Sequence, residues 1–201
     1  PGIVRATDII VEDGVAGLVM DFRAGLNLEQ MIADAPEGLE PARVTQLALA
    51  LLSALAFAHD NGVVHRDIKP ANILMHQGRA LIADLRMALG VRVAPVARLA
   101  ATCLSLGAAF YIGPEHATAY PFVRAATDTY ALGAVLYEML TGELPVGRFP
   151  PPSQKVEVDV RLDEVVLRTL EKEPGLRYQQ ASELGTAVES LSDPDWTPTR
   201  R

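Results

Sequence analysis

The sequence has little cysteine, no excess of basic residues and no long apolar run, and each shortage excludes a class of protein. Cys103 is the single cysteine among 201 residues. It can form neither an intrachain disulfide nor a cysteine-based zinc cluster, and the composition favours a reducing, cytoplasmic location. The 25 Asp and Glu residues outnumber the 18 Lys and Arg residues, for a net charge of −7. Because a non-specific nucleic-acid binder needs a basic surface, no nucleic-acid partner is expected.

The longest apolar run covers residues 47–58. It is shorter than the roughly 20 residues that a membrane-spanning helix needs, so no membrane segment is expected in this chain. The chain begins at Pro1 without a signal segment, and we expect it to be part of a longer polypeptide. Residues 192–201 are rich in proline and polar residues, which predicts a linker or tail.

Local patterns predict a mainly helical α+β unit. Two short strands are expected within residues 3–23, around the Asp13-Gly14 turn. Short apolar runs predict further strands near residues 73–75 and 80–83, and residues 86–112 have no clear period and are expected to form a long loop. Asp128 is the predicted cap of the most apolar helix. Helices are predicted over residues 41–59, 128–140, 162–171 and 179–191.

The segment at residues 65–74 reads His-Arg-Asp-Ile-Lys-Pro-Ala-Asn-Ile-Leu and contains the chemistry-bearing residues. Asp67, Lys69 and Asn72 lie in a predicted loop between short strands, and Asp84 follows the apolar run at 80–83. Carboxylate and amide oxygens are the ligands that Mg²⁺ prefers. A lysine offsets charge on a transferring phosphate, and a free carboxylate orients the attacking hydroxyl. The pattern therefore predicts phosphoryl transfer with bound magnesium.

This segment resembles the catalytic loop of the protein kinase family, in its bacterial serine/threonine branch, at every fixed position. Four further family landmarks follow in the family's order, and the resemblance covers about residues 3–191. They are Asp84-Leu85-Arg86 for Asp-Phe-Gly, Gly113-Pro114-Glu115 for Ala-Pro-Glu, Asp128 at the start of the central helix, and Arg177 as the partner of Glu115.

The resemblance implies ATP and Mg²⁺ as cofactors, a protein substrate, and a kinase-like C-lobe at residues 24–191 after an N-lobe remnant and hinge at 1–23. It also implies a cytoplasmic location, either as a cytoplasmic protein or as the cytoplasmic domain of a membrane-anchored kinase. It implies that Asp67 is the catalytic base or hydroxyl orienter and that Lys69 contacts the γ-phosphate. Asn72 and Asp84 are the implied magnesium ligands. The residues implied to bind the nucleotide are Met20, Asp21, Arg23 and Leu74. Those with structural or regulatory roles are His65, Arg66, Leu85, Glu115, Asp128 and Arg177.

The sequence also departs from the family pattern. The family keeps a lysine on an N-lobe strand, whereas the first lysine here is Lys69, so the remaining N-lobe strands are expected upstream. Arg86 replaces a glycine, and Ala108 replaces a threonine hydroxyl near Asp67. Thr102 and Ser105 are candidate phosphorylation sites whose phosphate would dock on Arg66.

Three functions follow from these features. The leading one is ATP-dependent phosphorylation of serine or threonine in proteins, as part of a longer kinase. The second is a pseudokinase or scaffold without phosphotransfer, which the missing N-lobe lysine, Arg86 and Ala108 favour. The third is a small-molecule phosphotransferase with a kinase-like fold. His59, at the end of a predicted helix, is expected to be a surface or cap residue.

Overall fold

The computed structural model describes residues 2–12, 15–84, 108–115 and 125–191. Leu85, Arg86, Thr102, Ser105, most of the predicted loop and the predicted tail lie outside the described residues. The elements, in chain order, are β1 (Ala6–Glu12), β2 (Val15–Met20), α1 (Leu28–Ala33), α2 (Pro41–Asp60), β3 (Ile73–His76), β4 (Arg79–Ile82), α3 (Ala125–Thr141), α4 (Arg161–Thr169) and α5 (Ala181–Ser190). The predicted mainly helical α+β class is confirmed.

Helix α2 starts and stops where its sequence indicates. Pro41 occupies the first turn, and the Glu40 carboxylate accepts hydrogen bonds from the first free N–H groups. Gly62, at φ 73°, follows the end of the helix in the left-handed conformation. The buried face packs against α3, α5 and β4. Its buried residues are Val44, Leu47, Ala48, Leu51, Leu52, Ala54, Leu55 and Ala58.

Within the part of the chain that the structure describes, α2 is also the one helix whose length and composition would allow it to cross a membrane. The core helix of a globular domain meets the same criteria when its apolar face is buried in protein. The packing of α2 against three other elements accounts for its composition in this way.

Helix α3 is buried over 14 of its 17 residues. Its predicted cap is wrong: the helix begins at Ala125, and Asp128 lies in its first turn. The Asp128 carboxylate accepts hydrogen bonds from a distant loop. Gly133 permits a close crossing with α4, because a Cβ there would lie 2.5 Å from a methyl group of Thr169. The helix therefore forms the centre of the core.

The strands form two separate antiparallel hairpins. β1 and β2 pair with Ala6 opposite Met20, and every residue of β1 is exposed. β3 and β4 are joined by a tight turn and lie against the helical core through buried residues such as Ile73 and Ile82. The Ile82 N–H donates to the Gly2 carbonyl at 2.8 Å, so the first residues of the chain run beside β4.

Short α1 was not predicted from the sequence. It begins with a capping box, in which the Asn27 side chain accepts from the Gln30 N–H while the Gln30 side chain accepts from the Asn27 N–H. Two buried residues, Leu28 and Ile32, attach it to the core. The other helices lie within three residues of their predicted bounds.

Candidate active site

The loop before Asp67 is fixed by a buried carboxylate. Asp128 is 0% exposed, and its Oδ2 and Oδ1 accept the backbone N–H groups of His65 and Arg66 at 2.8 and 2.7 Å. Arg66 has φ 69°, a left-handed conformation that costs free energy for a residue other than glycine. The two hydrogen bonds stabilise this strained turn, which determines where Asp67 points.

The His65 side chain joins the same loop to the end of β4. Its Nδ1 accepts the Asp67 N–H at 3.3 Å, and its Nε2 lies 2.9 Å from the Ala83 carbonyl. Because Nδ1 is an acceptor, the neutral ring has its proton on Nε2 and donates it to Ala83. Asp84 follows at φ 67°. The ring thereby sets the distance between the Asp67 loop and Asp84.

Asp67, Lys69 and Asn72 are in direct contact. The Lys69 ammonium and the Asn72 amide each donate to Asp67 Oδ2 at 2.9 Å, and the same amide donates to the Asp67 carbonyl at 2.8 Å. The Lys69 and Asp67 side chains are 21% and 18% exposed, so both are partly accessible to solvent. Both side-chain donors therefore contact the same oxygen of the Asp67 carboxylate, Oδ2.

Asn72 and Asp84 are suited to a magnesium ion bound together with phosphates. The Ala83 N–H donates to the Asn72 carbonyl at 2.8 Å, which places Asp84 one residue from this contact. Asn72 uses its amide nitrogen on Asp67, so its Oδ1 is the donor available to a cation. Among the described residues no group of three or more His, Cys, Asp or Glu could hold a metal alone. Magnesium commonly combines one or two protein oxygens with phosphates and waters, so this donor set fits it.

Three of the four residues implied to bind the nucleotide, Met20, Asp21 and Arg23, lie at the end of β2 and directly after it. Met20 pairs with Ala6 at the end of the hairpin, and the Asp21 N–H donates to the Arg5 carbonyl at 2.9 Å. Arg23 is exposed and forms an ion pair with Asp21 at 2.8 Å. Backbone pairing therefore extends the hairpin to Asp21, the first residue of the predicted hinge.

Leu74, the implied floor of the pocket, is tied to the residues that follow this hinge. It forms an isolated antiparallel bridge with Asn27, and the Met75 N–H donates to the Leu26 carbonyl at 2.8 Å. Gly25 is required here, since a Cβ would lie 2.0 Å from the Met75 carbonyl oxygen. The structure thus brings β3 and the segment after the hinge together.

Glu115 and Arg177 form a two-point ion pair. Both guanidinium nitrogens donate to the Glu115 carboxylate, at 2.8 and 2.7 Å, and Arg177 is 1% exposed. The guanidinium lies 4.5 Å from the centre of the Tyr130 ring. It also donates to the backbone carbonyls of Glu171, Ala126 and Lys172. The pair joins the segment at 108–115 to the helical core.

The comparison with family models agrees with this geometry. The model of the protein kinase domain matches residues 1–194. The chain belongs to the protein kinase family.

The kinase chain is similar to bacterial serine/threonine kinases in sequence. It is 36% identical over 205 residues to serine/threonine-protein kinase PknB of Mycobacterium leprae, covering 92% of this chain and 32% of that protein. It is 31% identical over 212 residues to PrkC of Bacillus subtilis, covering 97% and 32%. The chain therefore spans about a third of the length of these curated relatives. The crystal structure of the Mycobacterium tuberculosis PknI kinase domain superposes with a TM-score of 0.75 at 27% identity, over 96% of this chain and 72% of that one.

His59 is a site residue of this kinase chain that the sequence interpretation missed. Its side chain is 7% exposed, and its Nε2 lies 2.9 Å from Asp128 Oδ2. The expectation of a surface or cap residue was wrong. His59 lies four residues after Leu55 and eight after Leu51, on the buried face of α2, and this spacing was the available signal.

Proposed function

We propose that this chain forms the C-lobe of a kinase that transfers the γ-phosphate of ATP to serine or threonine hydroxyls of proteins. The observation that supports it best is the cluster of Asp67, Lys69 and Asn72, with both donors on one carboxylate oxygen. The strained turn stabilised by Asp128 fixes that cluster. A carboxylate with one oxygen occupied and one remaining can orient an attacking hydroxyl without moving itself.

Each group then has a distinct task. Asp67 Oδ1 receives the hydrogen bond of the substrate hydroxyl, and Lys69 stabilises the negative charge of the phosphoryl group. Asn72 and Asp84 would hold magnesium, which would offset the negative charge of the phosphates when bound. Met20, Asp21, Arg23 and Leu74 would surround the nucleotide base.

The proposal also assigns the family's remaining N-lobe strands and their lysine to sequence upstream of this chain. It assigns the activity to the cytoplasm, where ATP is supplied. The intact mass of the natural polypeptide tests the first assignment: a mass well above 21.6 kDa is expected. A mass near that value would favour binding without catalysis.

Arg66 supports a regulatory part of the proposal. Its Nε is buried without a hydrogen-bond partner in the described structure, and burial lowers the pKa of the guanidinium while Asp128 partly offsets this effect. A phosphate on Thr102 or Ser105 would supply the acceptor that Nε lacks and raise the pKa again.

The competing function is a scaffold without phosphotransfer. It is favoured by Ala108, which lacks the hydroxyl that the family places near its catalytic aspartate, and by Arg86. The two functions differ in whether the natural protein binds ATP in a magnesium-dependent manner.

The test uses the natural full-length polypeptide with three matched variants: Asp67→Asn, Asp84→Asn and, as control, the exposed Asp60→Asn. Asp67→Asn should lower peptide phosphorylation by about 10²–10⁴-fold with ATP affinity retained. Asp84→Asn should remove magnesium-dependent ATP binding, and Asp60→Asn should match the wild type. A wild type without magnesium-dependent ATP binding would favour the scaffold. Phosphorylation of small alcohols but of no peptide would favour the small-molecule enzyme.

A further inference from the structure

The segment that includes the end of the predicted hinge is exposed over its whole length. Residues 22–26 all face solvent, and Phe22 is 91% exposed. Because little of this segment is buried, its path depends on hydrogen bonds to neighbouring elements. A side chain at the end of β3 reaches it: His76 Nδ1 lies 3.1 Å from the carbonyl oxygen of Ala24.

The chemistry of this contact determines which ring nitrogen of His76 carries a proton. A carbonyl oxygen only accepts hydrogen bonds, so Nδ1 is the donor. In the neutral ring Nε2 then has the lone pair, and in the charged ring both nitrogens carry protons. The hydrogen bond to Ala24 therefore forms in both charge states of the ring.

The His76 side chain continues a ladder that the backbone begins. Asn27 forms an antiparallel bridge with Leu74, and the Met75 N–H donates to the Leu26 carbonyl at 2.8 Å. The next position along β3 is His76, where the side chain makes the bond to the segment. The segment after the hinge is thus held at three consecutive positions of β3.

The contact lies between the two proposed sides of the nucleotide pocket. Leu74, the proposed floor, and His76 point to the same face of β3, because side chains two residues apart in a strand share a face. The proposed hinge ends at Arg23, one residue before Ala24. We propose that His76 is a positioning residue for ATP binding, whose hydrogen bond to Ala24 sets the separation between the hinge and the pocket floor. The inference rests on the proposed function and gives His76 no contact with the reacting phosphate.

The test compares His76→Phe, His76→Asn and Arg43→Met in the natural full-length polypeptide. His76→Phe keeps a flat ring and removes the donor. His76→Asn retains a donor, because the amide nitrogen of asparagine lies close to the position of Nδ1. Arg43→Met is the matched control, since Arg43 also donates to a backbone carbonyl of the β3–β4 hairpin, that of Gly78 in its turn, at 3.2 Å.

The expected result is a selective effect on ATP. His76→Phe should raise the KM for ATP about fivefold, the scale of one neutral hydrogen bond, with kcat and the KM for peptide within about twofold of wild type. In His76→Asn and in Arg43→Met the KM for ATP should also stay within about twofold of wild type. An unchanged KM for ATP in His76→Phe, or an equal rise in the KM for peptide, would overturn the inference.

Amide hydrogen exchange gives a readout that does not depend on activity. The Met75 amide donates to the Leu26 carbonyl, so its exchange reports whether the segment stays on β3. Exchange at Met75 should become faster in His76→Phe and stay at the wild-type rate in His76→Asn and Arg43→Met. Unchanged exchange in His76→Phe would also overturn the inference. A wild type without magnesium-dependent ATP binding would refute the proposed function and the role of His76 in ATP binding, and exchange would still decide whether His76 holds the segment.

Discussion

Helix α3 and strand β1 are opposite extremes of this kinase chain. Of the 17 residues of α3, 14 are buried, whereas all seven residues of β1 are exposed. The residues proposed to transfer phosphate are fixed to α3 through Asp128. Three of the four residues proposed to bind the nucleotide base lie at the end of the β1–β2 hairpin or directly after it, and the fourth, Leu74, lies on β3. The apolar Ile9, Ile10 and Val11 of the hairpin are each more than half exposed. The proposed phosphate-transfer residues are therefore supported by a packed core, whereas most of the proposed nucleotide-binding residues are supported by an exposed two-stranded hairpin.

This contrast determines how each region should respond to mutation. In α3 a polar side chain is surrounded by protein, so removing it leaves donors that water cannot reach. In β1 the same loss is compensated by solvent. Substitutions in the two regions should therefore differ in their effect on the free energy of unfolding as well as on activity.

The largest effect is expected for Asp128→Ala. The substitution leaves three donors without an acceptor, namely His59 Nε2 and the N–H groups of His65 and Arg66. It should lower the free energy of unfolding by about 3–5 kcal/mol. Because the strained Arg66 turn loses its support, peptide phosphorylation by any folded fraction should also fall. Urea unfolding measures the first effect.

The control for this experiment is Asp60→Ala, at an exposed position at the end of α2. It should change the free energy of unfolding by no more than about 0.5 kcal/mol. A difference below about 1 kcal/mol between the two alanine variants would contradict the assignment of α3 as the support of the catalytic loop.

The sequence predicts the parts of this chain that depend on neighbours in sequence. The catalytic-loop segment is contiguous, and α2 has a long amphipathic pattern with a proline start, so both could be recognised from residue spacing. Short α1 has too few residues for a period to emerge, and only its capping box signals it. The roles of the site residues remain predictions that the proposed variants test.

What the sequence did not predict depends on contacts between distant residues. His59 at a helix end has the pattern of a cap, and its burial depends on Asp128, which lies 69 residues later. Asp128 has the sequence pattern of an N-cap, which would accept the free N–H groups of its own helix. In the structure it accepts the N–H groups of His65 and Arg66 instead, and the sequence pattern does not distinguish the two cases. The Tyr111 hydroxyl donates a hydrogen bond to Glu138 Oε2 at 2.6 Å, across 27 residues of sequence, and this contact is likewise set by packing of the fold.

The second prediction concerns Glu138, an ionisable residue on the buried helix α3. Burial raises its pKa in the folded state above the ordinary value of the unfolded chain, so the folded state retains this proton to higher pH. The stabilisation from that proton is present below the ordinary pKa and is lost as pH rises through the raised one. Glu138→Gln removes this pH dependence. The free energy of unfolding of the variant should therefore rise relative to that of the wild type as pH increases from acidic to neutral.

The gain should stay below about 1 kcal/mol, because Glu138 is partly solvated. Urea unfolding at several pH values, with the exposed Glu189→Gln as control, measures it. A constant difference in the free energy of unfolding between Glu138→Gln and wild type across the pH range would contradict the prediction, because it would mean that folding does not change the pKa of Glu138.

The last prediction compares the two regions by one conservative change, and its exposed member, Ile10→Val, should show the smallest effect of all. Ile10 on β1 is 54% exposed and Ile82 on β4 is 1% exposed, and both lie in antiparallel hairpins. Ile82→Val should cost about 0.5–1.5 kcal/mol of unfolding free energy, the usual effect of one buried methylene. In the 201-residue chain Ile10→Val should cost less than about 0.3 kcal/mol, because its side chain already contacts water.

Repeating the pair in the natural full-length polypeptide sharpens the comparison. If further N-lobe strands cover β1 there, Ile10→Val should become nearly as costly as Ile82→Val, and magnesium-dependent ATP binding should accompany that change. Equal, negligible costs of Ile10→Val in both forms would mean that β1 stays open to solvent. The nucleotide-binding half would then lack the packed support that α3 gives to the catalytic loop, and the scaffold function would be favoured over phosphotransfer.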